Sequence, residues 1–227
     1  KVAGVVAVCG SARCNSANAF FLKSLQQILE SDPSCERDAE GRVTGFQQTP
    51  SAGLRGFALT YADWLFDAPS TKAGASPDAL RPAFARSKPG GRVYAEGLYK
   101  EFLPSDSEEA FLEAWVGRIT RNWHAAEYLA VLQTWLSGDV AAAYEGDLGR
   151  ALGAVQATVY LMPGSTDQYF LAEEIAEEAK LIPRGIFQPL VSPFGHTAER
   201  RPECQGQIQA AIFACLQQSS LSPMATL

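Results

Sequence analysis

The sequence predicts an α/β fold, a parallel sheet covered by helices, and three observations carry that expectation. Three short apolar runs, at residues 2–8, 158–162 and 185–191, each end in a turn-forming segment. Segments of helical periodicity follow them. The order strand, long insertion, strand, helix, strand, helix is that of parallel strands joined by crossovers.

The first run, VAGVVAV, is apolar throughout and reads as a strand buried on both faces. GSARCNSAN breaks it. Residues 19–29 then carry Phe20, Phe21, Leu25, Ile28 and Leu29 at helical spacing, with Asn18 as the cap. Residues 31–105 are rich in Gly, Pro, Ser and Asp. They hold one helix near residues 53–65 and a flexible connection near residues 67–92. Two helices follow, in SEEAFLEAWVGRIT and NWHAAEYLAVLQTWLSG, and Ser105 and Glu108 have capping-box spacing for the first. Their aromatic residues, Phe111, Trp115, Trp123, Tyr128 and Trp135, read as helix–helix core. An apolar lid over a pocket is the sharper reading for some of them.

Residues 158–162 form the second buried strand, ended by Pro163 and Gly164. A helix over 171–181 follows, whose Glu173, Glu174, Glu177 and Glu178 read as a solvated face. The third strand, residues 185–191, contains Pro189, which cannot donate to a ladder, so it belongs at an edge. A last amphipathic helix carries Ile208, Ala211, Ile212, Cys215 and Leu216 on one face. Residues 1–30 and 151–227 are thus expected to build the sheet domain, and residues 31–150 a helical insertion.

The bulk numbers exclude several functions. A composition 47% hydrophobic and 19% charged is that of a globular chain. The net charge of −6 disfavours nucleic-acid and anionic-membrane partners. No run is long enough to span a bilayer, and the start lacks a signal-peptide layout. The five cysteines form no CxxC pair, so neither a disulfide framework nor a zinc site is expected, and the cytoplasm is the default compartment. The two histidines, His124 and His196, are far apart, no carboxylates cluster at ligand spacing, and no metal site is expected. His124 reads as a core or lid residue.

Parallel sheets place their sites outside the carboxyl ends of the strands. Asp167 and His196 each lie just past such an end. A carboxylate there can hold an imidazole in one tautomer, and the imidazole can then take a proton from a hydroxyl or thiol nucleophile. The bland alternative is a helix-capping aspartate and an idle loop histidine. The relay predicts a carboxylate–imidazole distance of about 2.6–3.2 Å. Ser11 follows the first strand, but Cys9 and Arg13 flank it where an elbow of the form G-x-S-x-G has glycines, and no such elbow occurs in the chain. Ser11 therefore reads as a turn or cap residue. Trp123, Tyr128 and Tyr169 are the candidate substrate contacts.

LMPGSTDQYF, SPFGHTAE and the closing helix together resemble the end of an α/β-hydrolase, in particular of the homoserine O-acetyltransferase family. VAVCGSAR resembles the strand that follows the nucleophile helix in that family, and WHAAEYLAVLQTWLSGDV its lid. The resemblance covers nearly the whole chain and is weakest over residues 38–106. It implies a partial α/β-hydrolase holding the last three parallel strands, with a helical lid insertion. It implies that Asp167 and His196 are the triad acid and base, and that the serine lies in an upstream segment of the same protein. It implies no bound cofactor and no metal, with acetyl-CoA as the acyl donor of the acyltransferase members and a small molecule as the acceptor. A homodimer is left open.

Two positions depart from the homoserine enzymes. Thr197 stands after His196 where they carry aspartate, and Asn122 stands where their lid carries arginine. An acyltransferase, an esterase, and a non-catalytic remnant without its nucleophile are therefore the three readings, and a chain without its serine is expected to be inactive alone.

Overall fold

A computed structural model describes residues 2–66, 107–192 and 194–221. The flexible connection expected near residues 67–92, and Ser105, lie outside them. The described residues divide into two compact units, residues 2–13, 66, 139–192 and 194–221 in one and residues 14–65 and 107–138 in the other.

The first unit is built on a parallel sheet of β1 (Gly4–Val8), β4 (Thr158–Met162) and β5 (Gly185–Phe187) in the order β1-β4-β5. Gly4 aligns with Thr158 and Val8 with Met162, and Tyr160 aligns with Ile186 across the next pair. The central strand β4 is buried along its whole length, and its side chains alternate between two cores. Val159 and Leu161 join Leu152 of α5 (Leu148–Gly153), Ile175 and Ala179 of α6 (Ala172–Leu181), and Ile182 just past that helix. Tyr160 and Met162 face Cys204, Ala211 and Cys215 of α7 (Pro202–Leu221). A continuous apolar run is what a strand covered on both faces requires.

Several expectations change here. β1 is less buried than its composition predicts, because it pairs only with β4 among the described residues; Val2 is 69% exposed and Val5 38%. β5 stops at Phe187, so Pro189 lies past the paired residues and backbone bonds from Gln188 and Leu190 carry the alignment onward. Ile212 and Leu216 do not share the buried stripe of α7, which runs through Cys204, Ile208, Ala211 and Cys215. Glu173, Glu174 and Glu177 are exposed as expected, but Glu178 is half-buried.

The second unit holds α1 (Ser16–Glu30), a hairpin of β2 (Cys35–Arg37) and β3 (Val43–Phe46), most of α2 (Ser51–Phe66), α3 (Glu108–Asn122) and α4 (Ala125–Ser137). The helix α1 belongs here and not to the sheet domain, because its buried Phe21, Leu22, Leu25 and Leu29 face this unit and α1 packs on α4. Residues 139–150 belong in turn to the sheet unit. The cap of α1 is Asn15, whose side chain accepts the Asn18 N–H, and the cap of α3 is Ser107, which accepts the Ala110 N–H. Asn18 is buried inside the helix and Phe20 is 74% exposed. The hairpin escaped the sequence because its strands are short and polar.

Candidate active site

The loops after β4 and β5 are stitched together before any functional side chain is placed. Leu190 N–H donates to the Pro163 carbonyl and Ser165 N–H to the Leu190 carbonyl, both at 2.8 Å. The Ser165 hydroxyl reaches the Ser192 backbone at 3.2 Å as donor and as acceptor. Thr166 is buried; its hydroxyl donates to the Ser192 carbonyl at 2.9 Å and accepts the Gly195 N–H at 3.0 Å. Gly195 takes a left-handed φ of 52°. Gly164 lies so close that a Cβ there would sit 2.6 Å from the Gly195 carbonyl oxygen. The PGST sequence, Pro163 to Thr166, is the clasp between the two loops.

That clasp sets the carboxylate and the imidazole. Asp167 Oδ1 accepts the Tyr169 and Phe170 N–H groups at 2.8 and 3.3 Å. Its Oδ2 lies 2.9 Å from His196 Nδ1. The Asp167 side chain is fully buried, while that of His196 keeps 24% of its surface. A carboxylate only accepts, so Nδ1 carries the proton and Nε2 is left as the acceptor. The Tyr169 ring meets the imidazole edge-on at 4.9 Å and Phe170 lies at 5.4 Å. Tyr169 itself has no exposed surface. Its ring therefore supports His196, which corrects the expectation that it meets substrate.

The other candidates fall elsewhere. Trp123 and Tyr128 belong to the helical unit, where their rings stack 5.4 Å apart and the Tyr128 hydroxyl donates to the Ile119 carbonyl at 3.0 Å. Burial pushes the Tyr128 phenol up to about 12, helped by Tyr61 and Glu127. Trp123 is 47% exposed. His124 is an exposed N-cap rather than a core residue, and its N–H donates to Glu127 at 2.6 Å. Ser11 is an exposed turn residue whose hydroxyl donates to the Arg13 carbonyl at 2.8 Å.

Two further residues of the sheet unit have roles that the sequence does not show. Glu178 accepts the Ala12 N–H through both oxygens, at 3.0 and 3.2 Å, and so ties α6 to the loop after β1. Burial raises its carboxyl above the usual range, with Glu174 adding to the effect. Cys9 ends β1 in a left-handed conformation, φ 49°, and its Sγ lies within 4.8 Å of ligand atoms of both Asp167 and His196. Burial pushes its thiol up to about 12, and the Asp167 and Glu199 charges act in the same direction. A thiol held neutral in this way is unsuited to act as the nucleophile.

No family profile matches the chain. It is 28% identical over 190 residues to an ethyl acetate hydrolase of Pseudomonas veronii, covering 84% of this chain and 46% of that protein. The solved structure of the acetyl esterase MekB matches 95% of this chain and 55% of its own, with a TM-score of 0.70 and 26% identity. Homoserine O-acetyltransferase of Bacillus anthracis matches in fold, with a TM-score of 0.60 and 15% identity over 96% of this chain and 52% of that one. With the parallel order of its strands, these likenesses make the chain a member of the α/β-hydrolase superfamily. Within it, the greater identities are to ester hydrolases, and the homoserine acetyltransferase shares the fold. The chain spans about half the length of the curated relatives it matches.

Proposed function

We propose that this chain supplies the acid and the base of a serine-dependent hydrolase of short-chain acyl esters. The observation that carries the reading is the 2.9 Å contact of His196 Nδ1 with a fully buried Asp167. His196 Nε2 takes the serine hydroxyl proton as the oxygen attacks the ester carbonyl, and returns it to the departing alcohol. In the second half, water loses a proton to the same nitrogen and releases the acid from the acyl-serine. Asp167 stabilises the imidazolium formed in each half. The serine would come from a segment outside this chain, since no G-x-S-x-G lies within it. Identity to ester hydrolases supports water as the acceptor, and Thr197 and Asn122 count against an amino-acid acceptor.

Acetyl transfer from acetyl-CoA is the competing reaction. The complete gene product, assayed with a nitrophenyl acetate, is expected to turn over. His196→Ala is expected to lower kcat at least ~10³-fold. Retention of activity in that variant would end the relay reading. Faster transfer from acetyl-CoA to homoserine than to water would restore the acyltransferase. No turnover of either kind would favour the non-catalytic remnant.

A further inference from the structure

We propose that Cys9, Asp167 and His196 form a binding site for a thiophilic divalent cation of the zinc or cadmium class. The sequence offers no such site, because its potential ligands are spread over 196 − 9 = 187 positions. Folding gathers a thiol, a carboxylate and an imidazole nitrogen within 4.8 Å of one another at the ends of one strand and two neighbouring loops. Bond lengths of about 2.0–2.3 Å in tetrahedral geometry require ligand atoms about 3.3–3.6 Å apart. The thiol must therefore approach by roughly 1 Å at the widest, and Nδ1 and Oδ2, 2.9 Å apart, must separate by about 0.4 Å.

Three further features fit a cation. Glu199 Oε2 lies 4.0 Å from Cys9 Sγ, which places a second carboxylate beside the cluster, although Arg200 Nε holds its other oxygen at 2.9 Å. The Asp167 and Glu199 carboxylates on either side of the thiol supply negative charge that attracts a divalent ion. Cys9 also keeps a side chain at a φ of 49°, a conformation that costs energy for a residue other than glycine. On binding, the Cys9 S–H bond breaks, its proton goes to solvent and an S–metal bond forms. The imidazole moves its proton from Nδ1 to Nε2, so that Nδ1 gives up its hydrogen bond to Asp167 and offers a lone pair to the ion, and Asp167 Oδ2 turns from Nδ1 to the ion. An imidazole and carboxylate so engaged no longer serve as base and acid, so the ion would inhibit ester turnover.

Only that inhibition rests on the ester-hydrolase reading; binding is measured without it. Cadmium chloride is titrated into the complete gene product while the ultraviolet thiolate-to-cadmium charge-transfer absorption is followed. One equivalent is expected to saturate the signal. Cys9→Ser should abolish it, and His196→Gln should weaken apparent affinity at least ~10-fold. Cys14→Ser, a half-buried thiol outside the cluster, should leave it intact. An unchanged signal in Cys9→Ser, or equal affinity in wild type and His196→Gln, would overturn the site. Should Cys9→Ser fold poorly, the His196→Gln comparison decides. In the ester assay zinc is expected to inhibit, with at least ~10-fold less sensitivity in Cys9→Ser. An enzyme without ester turnover in metal-free buffer would count against the proposed function while the absorption titration still decided the site.

Discussion

The helical unit is held by stacked aromatic rings, whereas the rim of the sheet unit is held by short polar side chains. In the former, Phe21, Tyr61 and Phe57 stack in series at 6.3 and 5.8 Å. Phe57 continues to Tyr128 at 4.7 Å, and Tyr61 faces Trp115 at 6.2 Å. Such contacts are broad and tolerate small shifts, each contributing about 0.5–1.5 kcal/mol beyond burial. At the sheet rim, the Ser165 and Thr166 hydroxyls hold the Ser192 and Gly195 backbone through hydrogen bonds of 2.9, 3.0 and 3.2 Å. A proton relay needs close placement, because a carboxylate and an imidazole lose their hydrogen bond over less than 1 Å. The two regions should therefore respond differently to substitution, one in stability and the other in activity.

The largest stability effect is expected from Trp115→Ala. The ring is 4% exposed and its Nε1–H donates to the Ala58 carbonyl at 2.9 Å. Truncation should destabilise the helical unit by about 3–5 kcal/mol, read from a denaturant melt. A loss below about 1 kcal/mol would show that the aromatic ladder is not what holds this unit.

Thr166→Val sharpens the other side. It keeps the shape of the side chain, removes the partner of the Gly195 N–H in a buried place, and leaves the Ser192 carbonyl only the Ser165 hydroxyl. A cost of about 2 kcal/mol is expected. Ester turnover should fall at least ~10-fold in kcat with little change in KM, a split that a merely structural residue would not give. Unchanged kcat would mean that His196 is positioned without the clasp.

The smallest effect is expected at Glu178. Its carboxyl is raised in the folded state, so ionisation opposes folding. Its contribution is complete below the unfolded value of about 4.3 and is lost as pH rises through the folded value. Glu178→Gln should give a higher Tm than wild type at pH 7 and no difference near pH 4, by calorimetry. A lower Tm at pH 7 would show that the two bonds to Ala12 outweigh the burial of charge.

The same contrast governs what could be read from the sequence. Asp167 and His196 were legible because each follows a strand end, where one parallel unit brings neighbouring loops together. The longer helices were legible from their period, but the six-residue α5 was too short to show one, and caps such as Asn15 and Ser107 compete with nearby polar residues. Glu178 was hidden in a run of glutamates, three of which do face solvent. Ser165 and Thr166 carry no motif, since their partners are backbone atoms 26 to 29 residues away. Cys9 was hidden because the spacing that matters to it exists only after folding.

In the proposed relay, Asp167 holds His196 through Nδ1 and leaves Nε2 to act as the base. Proton NMR of the complete gene product, labelled with nitrogen-15 at histidine, tests it most directly. The prediction is a slowly exchanging Nδ1–H far downfield of the amide envelope, assigned by its loss in His196→Ala and lost also in Asp167→Ala. A His196 signal showing the proton on Nε2, or an Nδ1–H unaffected by removal of the Asp167 carboxylate, would contradict it.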